Sequence, residues 1–289
     1  MKKWSLILCI LTCPLLLWGQ SFYYPVPPDT ILDRQGRINY MVEHFWNKQT
    51  IADTTCFQSP KLLLDYLYLL KQADKEDKYA QDFISLSCKQ EKTFGLILFW
   101  LDNILYDSSS PHYDEAFYMK FLDAVITSDA DSVMKLIPYQ RKEIISKNQV
   151  GKQANNFLFV DKAGNESDLY SIDAPLLLLI FNNPDCSLCH RTEENIVQNE
   201  ALQTMVNKGE LKILAITPEA EYNDWMEHIY PSNWQIGYDK ERAIYDQRLY
   251  DIQRLPCIYL LDNEKRVLLK EASYEHLCQT LGISYKHEG

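Results

Sequence analysis

Apolar positions follow two different rhythms along this chain. Through the first half they recur at helical spacing, as in Ile38, Met41, Val42, Phe45 and Trp46. Residues 22–33 carry Pro25, Pro27 and Pro28 and read as an extended lead-in. Ser59-Pro60 predicts a helix over 61–71, with Ser59 as N-cap and Pro60 in the first turn. Further helices are expected over 75–89, 93–106, 114–127 and 130–148, with Ser108 to Pro111 breaking the chain between two of them. The many aromatic residues here, Phe45, Trp46, Tyr66 and Trp100 among them, read as core.

Near Val150-Gly151 the rhythm changes. A short strand is expected over 156–160, a turn over 161–165 and a pairing partner over 169–172. Leu176–Phe181 is a continuous apolar run, which suits a strand buried on both faces. A helix over 187–207, a buried strand over 211–217 and a helix over 219–229 follow. An extended piece over 234–238, a helix over 243–250, a hairpin of 256–261 with 266–271, and a helix over 274–281 close the chain. The fold class expected is therefore α + α/β: a helical domain, then a mixed sheet flanked by helices.

Composition narrows the function. With 46% hydrophobic and 24% charged residues in 289, the chain is globular rather than disordered. A net charge of −11 lacks the basic footprint of a nucleic-acid binder. Met1-Lys2-Lys3, the apolar run Trp4 to Trp18 and then Gly19-Gln20 form a secretory signal pattern. The run is shorter than the roughly 20 residues of a spanning helix. The expected division is a signal peptide over 1–20, a helical domain over 21–149 and an α/β domain over 150–289. The mature protein is then periplasmic or secreted. An uncleaved leader, or lipidation at Cys13, would keep it on a membrane, but Thr12 is larger than the residue wanted before a lipidated cysteine.

Six cysteines lie beyond the leader: Cys56, Cys88, Cys186, Cys189, Cys257 and Cys278. That is too sparse for a disulfide scaffold. Cys56, Cys88 and Cys278 read as buried free thiols, with a Cys56–Cys88 pair as the alternative. Cys186-Ser187-Leu188-Cys189 stands where a buried strand gives way to a helix. There the first cysteine meets unpaired N–H groups and the positive end of the helix dipole, which favour a thiolate. The second, one turn later, can attack a mixed disulfide and release its product. Cys186 is expected to be the accessible, more reactive thiol, with a pKa modestly below the free value. Pro256, between Leu255 and Cys257, opens an apolar strand where proline is not expected. A cis bond there would turn the chain sharply; a trans proline starting an edge strand is the plainer alternative.

Over about residues 150–285 these features resemble the thioredoxin-like superfamily, and most of all the exported thioredoxin-like proteins of Bacteroidetes with an N-terminal helical domain of unknown function. Asn39 to Trp46 is similar to that domain's opening motif. Leu178 to Cys189, Gly237-Tyr238-Asp239 and Leu249-Tyr250-Asp251-Ile252 match the remainder. The resemblance implies a thioredoxin-like C-terminal domain. It makes Cys186 the attacking thiol and Cys189 the resolving thiol. It also makes Pro256 a cis-proline within reach of Cys186, and the Leu255 backbone a partner for substrate peptide. Cys257 becomes a candidate third thiol. The implied activity is thiol–disulfide exchange on exported proteins, reset by a membrane or periplasmic redox partner, with no cofactor and no metal.

Two departures and two competing readings qualify it. Asp185 replaces the usual tryptophan before the first cysteine and opposes thiolate formation. The buried acid many thioredoxins carry on the preceding strand would fall at Ile180. Glu193 and Glu194 could substitute, but read as surface helix residues. Cys186 to His190 also spells the haem-attachment pattern Cys-x-x-Cys-His, although no distal ligand stands out. A further alternative is a binding or adaptor domain with a structural Cys186–Cys189 disulfide.

Overall fold

The computed structural model describes residues 22–285. The expected signal peptide therefore lies outside the described residues. The helical part comprises α1 (Arg34–Phe45), α2 (Lys48–Ala52), α3 (Lys61–Leu70), α4 (Glu76–Ser87), α5 (Glu91–Leu101), α6 (Glu115–Thr127) and α7 (Ser132–Ile145). Short polar side chains start most of these helices. Asp33, Asn47, Asp114 and Asp131 each accept from a first-turn N–H. At α3 the expected Ser59 cap is absent: Pro60 is the N-cap and makes no side-chain bond. Beyond α5, residues Asp102–Tyr106 widen into a π-type turn. Phe45, Trp46, Phe57, Tyr66 and Phe83 pack ring on ring in one core with Leu63, Phe94 and Ile97. Cys56 and Cys88 are free, so the alternative of pairing them fails.

The second part has strands β1 (Leu158–Val160), β2 (Glu166–Asp168), β3 (Leu176–Phe181), β4 (Leu211–Thr217), β5 (Gln235–Tyr238), β6 (Cys257–Asp262) and β7 (Val267–Ala272). Its helices are α8 (Ser187–Gln198), α9 (Glu200–Asn207), α10 (Tyr222–Glu227), α11 (Ala243–Asp246) and α12 (Tyr274–Leu281). The sheet order is β2-β1-β5-β4-β3-β6-β7. Strand β3 runs parallel to β4 and antiparallel to β6. Its Leu177, Leu179 and Phe181 enter one core and its Leu178 and Ile180 the other, which explains the unbroken apolar run. Gly237 in β5 packs under Phe159, whose ring carbon would lie 2.3 Å from any Cβ there.

The helices expected over 219–229 and 243–250 shorten to Tyr222–Glu227 and Ala243–Asp246, and two further elements change more. The partner of β1 is Glu166–Asp168, not 169–172, because Leu169–Ser171 turns as a 3₁₀ helix capped by Asp168. The single helix expected over 187–207 is two. Asn199 takes an extended backbone and its side chain accepts from Ala201 N and Leu202 N, starting a new helix.

The two parts share polar contacts. Tyr106 donates to Asp251 at 2.6 Å, Arg254 donates to Ser108 at 3.0 Å, and Lys270 pairs with Glu115. The connecting residues join the sheet as well. Gly151 N donates to Val267 O, Val267 N to Lys152 O and Ala154 N to Lys265 O, each at 2.8 Å.

Candidate active site

The site begins where β3 ends. Asn183 ties down the loop after it: its Nδ2 donates to Glu219 O at 2.7 Å, and its carbonyl accepts from Cys186 N at 3.0 Å. Cys186 is the N-cap of α8, and its sulfur accepts from Cys189 N at 3.1 Å. A sulfur in that position takes up a free N–H of the helix start, an arrangement that favours negative charge on it. Cys186 and Cys189 form a disulfide with Cα atoms 5.2 Å apart. Cys186 is half-buried, whereas Cys189, one turn in, is 1% exposed. Asp185 and Leu188 are exposed on either side.

The loop before β6 comes to meet them. The Leu255–Pro256 bond is cis, and Leu255 O lies 3.6 Å from Cys186 Sγ. The structure therefore brings together Cys186, Cys189, Leu255 and Pro256, which are far apart in sequence. Cys257 follows them but is 5% exposed. Burial first, and then the charges of Glu271 and Asp251, push its thiol well above its ordinary value. Such a thiol is neutral and packed, unsuited to act as a third nucleophile. Cys278 is also free and buried.

His190 clasps the same loop, its Nε2 lying 2.6 Å from Pro184 O, and it stacks on His228 with ring centroids 5.2 Å apart. In this arrangement the nitrogen that would serve as a haem ligand is engaged with backbone. Among the described residues no group of three or more His, Cys, Asp or Glu could hold a metal ion.

Glu193 is not the surface residue expected. Its side chain is 12% exposed. It accepts from Asn182 Nδ2 at 3.1 Å and lies 3.3 Å from His228 Nε2. Thr217 and Tyr230 donate to Asn182 Oδ1 and close the network. Sequence reading missed this cluster because its members come from four separate elements. It also missed Glu271, whose place at the end of β7 reads as an ordinary strand terminus.

Residues 249–252 prove to be a junction. Leu249 O accepts from Asn148 and Asn155 at 2.7 and 2.8 Å, and Tyr250 OH donates to Asn155 O at 2.6 Å. Asp251 receives the Tyr106 hydroxyl from the helical part.

Residues 8–148 match a family described as a domain of unknown function, DUF5106. A thioredoxin-like protein from Bacteroides caccae is 31% identical, covers 91% of this chain and 98% of its own, and superposes with a TM-score of 0.77. The C-terminal domain of an uncharacterized Bacteroides fragilis protein is 35% identical over 47% of this chain and 99% of its own, with a TM-score of 0.46. The thioredoxin domain of a thiol-disulfide oxidoreductase from Bacteroides vulgatus is 21% identical over 46% of this chain and 96% of its own, with a TM-score of 0.40. Curated proteins yield no match. With a relative so similar along nearly the full length of both chains, this chain belongs to the family of the Bacteroides caccae thioredoxin-like protein, and it places a DUF5106 helical region ahead of its thioredoxin-like sheet.

Proposed function

We propose that this chain is an exported thiol–disulfide oxidoreductase acting on protein thiols or disulfides. The observation that carries this reading is the seat of Cys186. Its sulfur caps α8, bonds to Cys189 and faces the Leu255 carbonyl beside Pro256. In the reducing direction, the Cys186 thiolate attacks one sulfur of a substrate disulfide, and the other substrate sulfur leaves as a thiolate. Cys189, deprotonated, then attacks the Cys186 sulfur. The Cys186–substrate bond breaks, the second substrate thiolate leaves, and Cys186–Cys189 forms. Two electrons have passed to the substrate, and a thiol-bearing redox partner returns them. In this reading the Leu255 backbone pairs with an extended substrate peptide beside Cys186. Export follows from the Lys2-Lys3 and Trp4–Trp18 pattern. Among the described residues no helix is long and apolar enough to cross a membrane.

Reduction of insulin disulfides, with the Cys186–Cys189 redox potential measured in parallel, tests the reading. Wild type is expected to turn over and Cys186→Ala to lose activity, while Cys189→Ala accumulates a mixed disulfide at Cys186. A wild type no faster than Cys186→Ala would favour the adaptor role with a structural disulfide.

A further inference from the structure

The exchange steps leave one buried group beside Pro256 and Cys257 without a role. Glu271 lies in β7 with its side chain 4% exposed. Its Oε1 accepts from Tyr259 OH at 3.3 Å and lies 3.6 Å from Lys270 Nζ. Its Oε2 has no hydrogen-bond partner among the described residues. The backbone there has φ +50°, inside the bulge between the pairs Ile258–Ala272 and Leu260–Leu269. A non-glycine residue is strained in that region, and it stays there only where its surroundings hold it. Burial, an unpaired charged-type oxygen and strain thus coincide on one carboxyl.

Glu271 lines a cavity of about 380 Å³. Leu188 and Thr192, which stand on either side of Cys189 along α8, line the same cavity, as do Pro256 and Cys257. Gln253 is a further wall, and its Nε2 is likewise without a partner. A space of this size with polar walls accommodates several waters.

We propose that Glu271 is the internal proton acceptor of the thiol site, taking the Cys189 proton through cavity water as Cys189 attacks the mixed disulfide, with the helical part setting how readily it does so. This rests on the oxidoreductase reading. The proton on Cys189 sulfur passes to the Glu271 carboxylate. The electron pair left on that sulfur forms the Cys186–Cys189 bond, and the Cys186–substrate bond breaks to release a thiolate. In the opposite direction the neutral carboxyl returns the proton.

The groups around Glu271 suit the role. Burial first, then the Asp251 charge, raise its carboxyl to about 8, with Lys270 pulling down and Glu115 pushing up. A group poised near neutral pH exchanges protons most effectively there. Glu115 belongs to α6 of the helical part and shares Lys270 with Glu271. Asp251 is held by Tyr106 of the same part. Tyr106, Tyr113 and Cys257 feel the Glu271 charge in turn. Arg254, Arg191 on α8 and Glu275 on α12 border the cavity.

The test uses the full chain charged at Cys186 with 5-thio-2-nitrobenzoate, whose release reports attack by Cys189. Wild-type release is expected to show an inflection near the Glu271 value of about 8. Glu271→Gln should lose that inflection and release the probe at least about tenfold more slowly at its midpoint. Glu115→Gln removes a neighbouring negative charge, so its inflection should move to lower pH. A Glu271→Gln profile that overlays wild type, or an inflection unmoved in Glu115→Gln, overturns the proposal. If insulin reduction persists in either case, only the role of Glu271 fails. If wild type never forms or resolves the mixed disulfide, the oxidoreductase reading itself fails.

Discussion

Two buried carboxylates occupy opposite kinds of surroundings near the thiol-bearing helix. Glu193 sits on α8 itself, and both of its oxygens have partners, in Asn182 and His228. Glu271 sits across a cavity on a strained bulge, and one of its oxygens has none. Both sequence positions carry the same residue type. What differs is satisfaction. A closed network fixes geometry and has nothing left to give, whereas an orphaned carboxyl stores a cost that only a change in protonation or a solvent contact relieves. The first holds the loop in place; the second can do chemistry.

The largest effect expected from this contrast is on stability against pH. The folded Glu271 carboxyl titrates near 8, above its unfolded value. Its contribution is therefore fully present below the ordinary carboxylate range. It is lost as pH rises toward about 8, because the unfolded chain gives up this proton first. The slope from this group approaches about 1.4 kcal/mol per pH unit. Urea unfolding between pH 5 and pH 8 should show wild type losing stability on this slope and Glu271→Gln largely free of it. Parallel curves for the two proteins would sink the assignment.

Smaller, and flat in character, is the response to Glu193→Ala. Asn182 and His228 lose their shared acceptor, which costs about 1–3 kcal/mol. The inflection in thiol resolution should stay where it was. A displaced inflection would mean that Glu193, not Glu271, handles the proton. The smallest effect calibrates both. Glu219 and Arg242 pair at 3.1 Å with both side chains 55% exposed. Glu219→Gln should change the unfolding free energy by no more than about 0.5 kcal/mol.

Much of the frame was readable along the chain because local patterns dictate it. Leu176–Phe181 is apolar at every position and became the central strand; Tyr274–Leu281 alternates its faces at helical spacing and became α12. The cysteine pair and Pro256 were readable too, since each breaks the pattern around it. What escaped depended on distant partners. Residues 187–207 look like one helix until Asn199, whose Nδ2 donates to Tyr274 OH and Ser284 O, starts another. Glu193 reads as exposed until Asn182, from the loop before α8, and His228, from beyond β4, close over it. Glu271 reads as the polar end of a hairpin strand until α6 and the Asp251 loop cover it. Cys257 gives no local sign that Asp251 and Glu271 surround it.

The hydrogen bonds between residues 151–154 and β7 bear on how this protein stays apart from its neighbours. An outer strand with free N–H and C=O groups invites pairing with another chain. Here the segment leaving the helical part pairs with the start of β7 and the turn before it, occupying Val267 N, Val267 O and Lys265 O. At the far side, β2 is only Glu166–Asp168, too short and polar to recruit much. The connection thus guards the sheet as well as tethering it, and a fragment begun at Phe157 would bare that edge and tend toward strand-to-strand aggregation.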